Sequence, residues 1–186
     1  MSLPTFSVVI PTYSRPKQLE SCLAALAEQD YPKANYQVVV VDDGSQQSLH
    51  KIVAAYQDRM DVTLIVQKNA GPAAARNTGV QNATGAYIAI TDDDCIPDVG
   101  RLRQYDLSIQ ANNIAKARSH FLEIGGFDIS FPLAAAEDRN LCDCWQQAGY
   151  PMKYFPTATI QHAHALSFKS LWRQHFGYGR GAYCFH

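Results

Sequence analysis

A chain of 186 residues, 47% hydrophobic and 18% charged, can bury a sizeable core and reads as one α/β domain, with no second domain expected. Its formal net charge of -1 excludes the basic field that drives nucleic-acid binding, so any anionic ligand has to be held locally. The five cysteines include no CxxC pair and read as reduced, cytosolic thiols, no apolar stretch approaches the ~20 residues of a bilayer span, and Met1-Ser2-Leu3-Pro4 lacks the basic start of a secretory signal.

Phe6 to Ile10 is a β-branched run ended by Pro11, and Gln37 to Val41 is a second, ended by Asp42-Asp43-Gly44-Ser45. Both read as buried parallel strands. Between them, Pro16 to Gln29 carries Leu19, Cys22, Leu23 and Leu26 at helical spacing, so the first unit is β-α-β. A helix over Ser48 to Asp58, a strand over Val62 to Gln67 and an alanine-rich helix over Pro72 to Gln81 follow. The last leads through Gly85 into the apolar run Ala86 to Ile90. Strands alternating with helices predict a doubly wound sheet whose ligand crevice lies beyond the carboxyl ends of the strands. Pro11-Thr12-Tyr13, Asp42-Asp43 and Asp92 to Asp94 all fall at such ends, so three polar clusters converge on one rim.

The second half is less regular. Gly125-Gly126-Phe127 marks a turn, and Ala136 to Ala148 reads as a helix carrying Glu137-Asp138. Tyr154 to Gln161 is an extended segment ending at His162 and His164, and Ser167 to Gly177 has helical spacing. Cys142 and Cys144, two positions apart on a predicted helix, point in different directions and do not make half a metal site.

Three consecutive carboxylates at a strand end repel one another unless a proton or cation intervenes. Asp92, Asp93 and Asp94 therefore ask for a divalent metal and for a second anion that the metal can bridge, of which a nucleotide diphosphate is the usual biological example. The other polar groups are open when taken singly. Asp42-Asp43 equally suits a helix cap and turn, Arg15 and Arg76 equally suit solvated helix surfaces, and Glu137-Asp138 is favourable at a helix start through the macrodipole alone.

Taken in order, Val8-Val9-Ile10-Pro11-Thr12-Tyr13-Ser14-Arg15, Val40 to Ser45, Gly71 to Asn77, Asp92-Asp93-Asp94, Gly125-Gly126-Phe127-Asp128, Glu137-Asp138 and His162 resemble glycosyltransferase family 2. The resemblance runs from about Phe6 to the end. It implies a GT-A fold, with residues 1–98 as the nucleotide-sugar-binding half and 99–186 as a shortened acceptor and catalytic-base half. It implies Asp42 or Asp43 facing the donor base, Pro11, Thr12 and Tyr13 lining the other side, and Arg15 and Arg76 meeting the diphosphate. Asp92-x-Asp94 resembles the DxD metal motif, with Asp92 and Asp93 near the nucleotide-sugar and His162 as a third metal ligand or a diphosphate contact, backed up by His164; the cofactor is Mn2+ or Mg2+. Asp138 would be the general base of an inverting transfer from a UDP-sugar to a saccharide or lipid-linked acceptor, in cell-surface polysaccharide or glycolipid assembly, with no nucleic-acid partner. A cytoplasmic setting with peripheral association at the inner face of the membrane goes with it.

One departure from the family pattern is visible. About 18 residues separate Asp94 from Asn113-Ile114-Ala115, where relatives carry several dozen, so acceptor recognition is the property least readable here. Two rival readings remain. A receiver domain shares an acidic pair after a strand, but it needs that pair after the first strand rather than the second. A nucleotide-sugar-binding module without catalysis fits the shortened middle, and donor hydrolysis with Mn2+ separates it from an enzyme.

Overall fold

The computed structural model describes residues 3, 5–110, 116–131, 137–150, 160–162 and 172. Two β-branched runs make its centre: strand β1, Phe6–Thr12, and strand β2, Tyr36–Asp42, are buried along their whole length. Strand β3 is Asp61–Val66 and strand β4 is Tyr87–Ile90. These four are mutually parallel, and Lys116–Ala117, β6, adds a short antiparallel edge beside β4. The order across the sheet is β3-β2-β1-β4-β6. The chain therefore runs outward from β1 to β3 and then returns to the other side of β1, and the crevice where the order reverses is where such sheets bind ligands.

Side-chain alternation divides the core into two layers. Val8, Ile10, Val38 and Val40 pack against helix α1, Pro16–Ala27, and against Leu49 and Val53 around helix α2, His50–Ala54. Val9, Val39 and Val41 face the other way, onto helix α3, Pro72–Gln81, and onto Phe121 and Leu141. Period-two strands buried on both faces are near-continuous apolar runs, and here the polar exceptions are Ser7 and Gln37 near the starts and Thr12 and Asp42 at the carboxyl ends. Helix α3 comes closest to the sheet at Gly79, where a Cβ would stand 2.3 Å from Val9 Cγ1 and 3.2 Å from Val41 Cγ2.

The second half adds small pieces. Strand β5, Cys95–Pro97, pairs antiparallel with β7, Ile160–His162, in a separate two-stranded sheet. Helices α4, Arg101–Gln110, α5, Arg118–Glu123, and α6, Glu137–Gln147, complete the order.

The predicted helix over Ser48 to Asp58 is α-helical only at His50–Ala54. Beyond it the backbone tightens into i→i+3 bonds, from Tyr56 N to Val53 O and from Arg59 N to Tyr56 O, while Tyr56 and Met60 stay buried. The apolar spacing was real, but the helix type was not. Strand β1 runs two residues past Ile10, taking Pro11 opposite Val41 and Thr12 opposite Asp42. The expected helix over Ser167 to Gly177, apart from the single helical residue Trp172, and most of the expected extended segment lie outside the described residues. No described helix is long and apolar enough to cross a membrane. None of Cys22, Cys95, Cys142 and Cys144 is in a disulfide.

Candidate active site

The ladder bonds continue past the strands and knit their ends together. Asp43 N donates to Thr12 O at 2.9 Å, Gln67 N to Asp42 O at 2.9 Å, and Thr91 N to Val9 O at 3.1 Å. Beyond these ends opens a cleft of about 410 Å³. Pro11, Tyr13, Arg15, Asp43, Asn69, Gly71, Arg76, Asp92 and Asp93 are among the residues that line it. Tyr13 is half exposed.

The aspartate triplet is neutralised from two sides. Thr12 Oγ1 donates to Asp93 Oδ2 at 2.7 Å. Arg15 Nη1 reaches Asp93 Oδ1 at 3.1 Å and Asp94 Oδ2 at 3.2 Å. Burial pushes the Asp93 carboxyl above the usual carboxylate range, and the bonds from Thr12 and Arg15 pull it back only in part. For Arg15 burial alone would favour deprotonation, but the charges of Asp93, Asp94 and Asp92 outweigh it and hold the guanidinium charged more firmly than usual.

Asp42 and Asp43 differ. Asp42 is buried, and its Oδ1 accepts from Ser45 N at 2.9 Å, the turn-forming role open to it in the sequence. Asp43 lines the cleft, and its carboxylate organises the loop between β3 and α3. Oδ1 accepts from Gln67 Nε2 at 2.7 Å and Ala70 N at 2.9 Å, and Oδ2 accepts from Gly71 N at 2.9 Å. A carboxylate offers about four acceptor positions, so roughly one remains for a ligand donor.

Arg76 joins the rim to the second half. Its Nη2 lies 3.0 Å from Asp92 Oδ1 and its Nη1 3.0 Å from Glu137 Oε1. Burial would weaken the charge of Arg76, but Asp92, Asp138 and Glu137 reinforce it further, so its pKa rises. Asp138 stands exposed on the first turn of α6, within electrostatic reach of that guanidinium. His162 pairs in register with Cys95, which places its backbone one residue beyond Asp94. His164 lies outside the described residues.

The rim thus gathers Pro11, Thr12, Tyr13, Arg15, Asp43, Arg76, Asp92 and Asp93 around one cleft. Asp42 and Asp94 are buried and are not among its lining residues. Among the described residues, no three acidic, histidine or cysteine side chains are arranged to hold an ion by themselves. Asp92 and Asp94 nevertheless supply hard oxygen donors, and Asp92, 47% exposed, opens to the cleft. That set fits Mn2+ or Mg2+, ions that take few protein ligands and complete their shell with phosphate oxygens and water. Sequence reasoning missed Gln67 and Asn69, and took Gly71 only as the start of the Gly71 to Asn77 motif. The signal was present: Gln67 to Gly71 is a polar stretch at the carboxyl end of a third parallel strand, and every such end reaches the same rim.

The family model described as glycosyl transferase family 2 matches residues 7–116. The glycosyltransferase AglE of Haloferax volcanii is 40% identical over 99 residues, covering 52% of this chain and 32% of its own. A crystal structure of S. aureus TarS 1-349 in complex with UDP-GlcNAc superposes with a TM-score of 0.55 at 31% identity, over 58% of this chain and 32% of that one. The Pyrobaculum calidifontis mannosyltransferase PcManGT, in complex with GDP-Man and Mn2+, superposes with a TM-score of 0.78 at 22% identity, over 93% of this chain and 61% of that one, a likeness of fold. The chain spans about a third or less of the length of these curated relatives and of TarS.

Proposed function

The chain belongs to glycosyltransferase family 2 and has an α/β fold of the GT-A type, and from that starting point we propose that it transfers a sugar from a UDP-sugar to a hydroxyl acceptor, with inversion and with Mn2+ or Mg2+. The observation that carries this reading is the cleft at the sheet's reversal point, which brings Asp43 into one continuous space with the carboxylates Asp92 and Asp93 and the cations Arg15 and Arg76.

Each residue then has a task. The base lies between Pro11 and Tyr13 on one side and Asp43 on the other, and the remaining acceptor position of Asp43 takes the uracil N–H. Asp92 and Asp94 would hold the metal, with His162 as the further ligand, a reading supported by the backbone pairing of His162 with Cys95. When bound, the ion offsets the negative charge that builds on the departing diphosphate. Arg15, whose side chain is 52% exposed, forks onto a phosphate oxygen at the same place. The Asp138 carboxylate takes the proton of the acceptor hydroxyl as that oxygen attacks the anomeric carbon, on the face opposite the leaving nucleotide. The acceptor is a saccharide or a lipid-linked saccharide of cell-surface assembly.

A thermal-shift panel of UDP, CDP, GDP and ADP, with and without Mn2+, tests the donor site. Ligand at 100 times its dissociation constant adds about 2.7 kcal/mol of stability. UDP-sugar hydrolysis in the same buffer separates an enzyme from a binding module. No metal-dependent shift with any diphosphate would sink the donor site, and binding without turnover would leave the module.

A further inference from the structure

We propose that Arg76 and Asn77 form a strap between the two halves of the molecule, and that Arg76 is a positioning residue that fixes the helix carrying Asp138 against the metal-side carboxylate Asp92. This rests on the reading of Asp138 as the base. By resemblance Arg76 belongs to the diphosphate, yet its two terminal nitrogens each already serve a carboxylate, one from the end of β4 and one from the start of α6. The Arg76 side chain is 10% exposed and that of Glu137 only 4% exposed. A guanidinium also lies 5.3 Å from the centre of the Phe127 ring, so its body is fixed as well as its ends.

The neighbouring residue grips the same half independently. Asn77 Oδ1 accepts from Phe127 N at 2.9 Å, and its Nδ2 donates to Phe127 O at 2.8 Å. The grip requires glycine at 126, where φ is +74° and a Cβ would lie 2.6 Å from Asn77 Oδ1. Two adjacent residues of α3 therefore hold the turn before α6 and the first residue of α6. Asp138 is the next residue along, and whatever fixes Glu137 fixes its backbone. A planar fork with several donors can bridge two carboxylates in this way, and a lysine ammonium cannot do so with the same geometry.

The test uses Arg76→Gln, Arg76→Lys, Glu137→Gln and the Arg76→Gln/Glu137→Gln double variant, with Asp138→Asn alongside. Mn-UDP affinity is measured by calorimetry, kcat and donor KM with water as acceptor, and hydrogen exchange of α6 with and without Mn-UDP. Arg76→Gln should bind Mn-UDP within about threefold of the parent, while kcat falls about 10- to 100-fold at unchanged KM, the scale of a slightly misplaced catalytic group. Arg76→Lys should fall between the two. The double variant should be no worse than its poorer single, because one link is broken in each case. Mn-UDP should slow exchange in the first turn of α6 in the parent and not in Arg76→Gln. Loss of Mn-UDP affinity by tenfold or more, with α6 exchange unaltered, would make Arg76 a phosphate ligand and overturn the proposal, as would multiplicative effects in the double variant. If Arg76→Gln does not fold, Arg76→Lys and Glu137→Gln carry the same comparison. Parental turnover by Asp138→Asn would overturn the base assignment alone, since the exchange and affinity results still decide the strap.

Discussion

Arg15 Nη1 stands 3.1 Å from Asp93 Oδ1, and the same nitrogen reaches Asp94 at 3.2 Å. A side-chain cation therefore already sits on carboxylates beside which a metal ion would bind, and the two compete for charge. Arg15→Gln should bind Mn2+ alone more tightly, by up to about fivefold, the upper range for a half-exposed ion pair. It should bind Mn-UDP about tenfold or more weakly, because a charged bond to the diphosphate is lost. Calorimetry with the ion alone and with the complex checks both signs; a change in the same direction in both titrations would remove Arg15 from the donor site.

Asp94 is the second of the two carboxylates proposed for the ion. Asp94→Asn keeps its shape and most of its hydrogen bonding while removing the charge, so the apo melting temperature should stay close to the parent's. The extra stabilisation by UDP that Mn2+ confers should disappear, a loss of about 2.7 kcal/mol at 100 times the parental dissociation constant. The measurement is thermal shift with UDP in Mn2+ and in a chelator, and an unreduced Mn2+ effect would place the ion elsewhere.

Asp43 has about three of its four acceptor positions filled by Gln67, Ala70 and Gly71. The last one can meet the N–H of uracil but not the bare N3 of cytosine. An unmade buried bond costs ~1 to 3 kcal/mol, so UDP should bind about 5- to 150-fold more tightly than CDP. Equal affinity in a competition assay would exclude this contact.

The residues that set the sheet were readable because strands buried on both faces are near-continuous apolar runs, as Phe6 to Ile10, Gln37 to Val41 and Ala86 to Ile90 are apart from Ser7 and Gln37. Helix α3 matched its predicted bounds, since Pro72 starts it and α3 packs directly on β1. The elements between Asp94 and Phe127 were not readable for opposite reasons. Lys116–Ala117 is too short to show a period, and α4 is mostly polar, with Leu102 as its fully buried anchor. At the site, strand ends located the aspartates, but the partnership of Arg76 with Glu137 spans 61 positions and no local pattern encodes it.

Gly79 tests the packing that places the cleft. A methyl group there meets Val9 Cγ1 at 2.3 Å, and a β-branched side chain in a central strand has little freedom to turn away. Gly79→Ala gains up to ~1 kcal/mol of helix propensity. Overpacking a close-packed core costs ~1 to 3 kcal/mol and should win, lowering the melting temperature by a few degrees. A variant that melts higher than the parent would mean that α3 and β1 separate readily.

Asp138 is the general base in the proposed reading, and its surroundings frame the experiment that tests it. It is exposed at the opening of α6, where Glu137, one position earlier, is buried and ion-paired to Arg76. The two acids of the pair are thus divided between anchoring and accessibility, and only the accessible one can meet an acceptor hydroxyl. Asp138→Asn keeps the size and polarity of the side chain but cannot accept a proton, so Mn-UDP affinity should be unchanged while transfer falls about 100- to 10,000-fold, the usual contribution of a positioned base. Asp138→Glu, which keeps the carboxylate at a different reach, should recover part of that loss. Both are measured as turnover with the best available acceptor, or with water, next to calorimetric UDP binding. Parental turnover in Asp138→Asn, or a loss of UDP binding that accounts for the whole effect, would reduce Asp138 to a helix-start charge and send the search for the base to the residues beyond Tyr150.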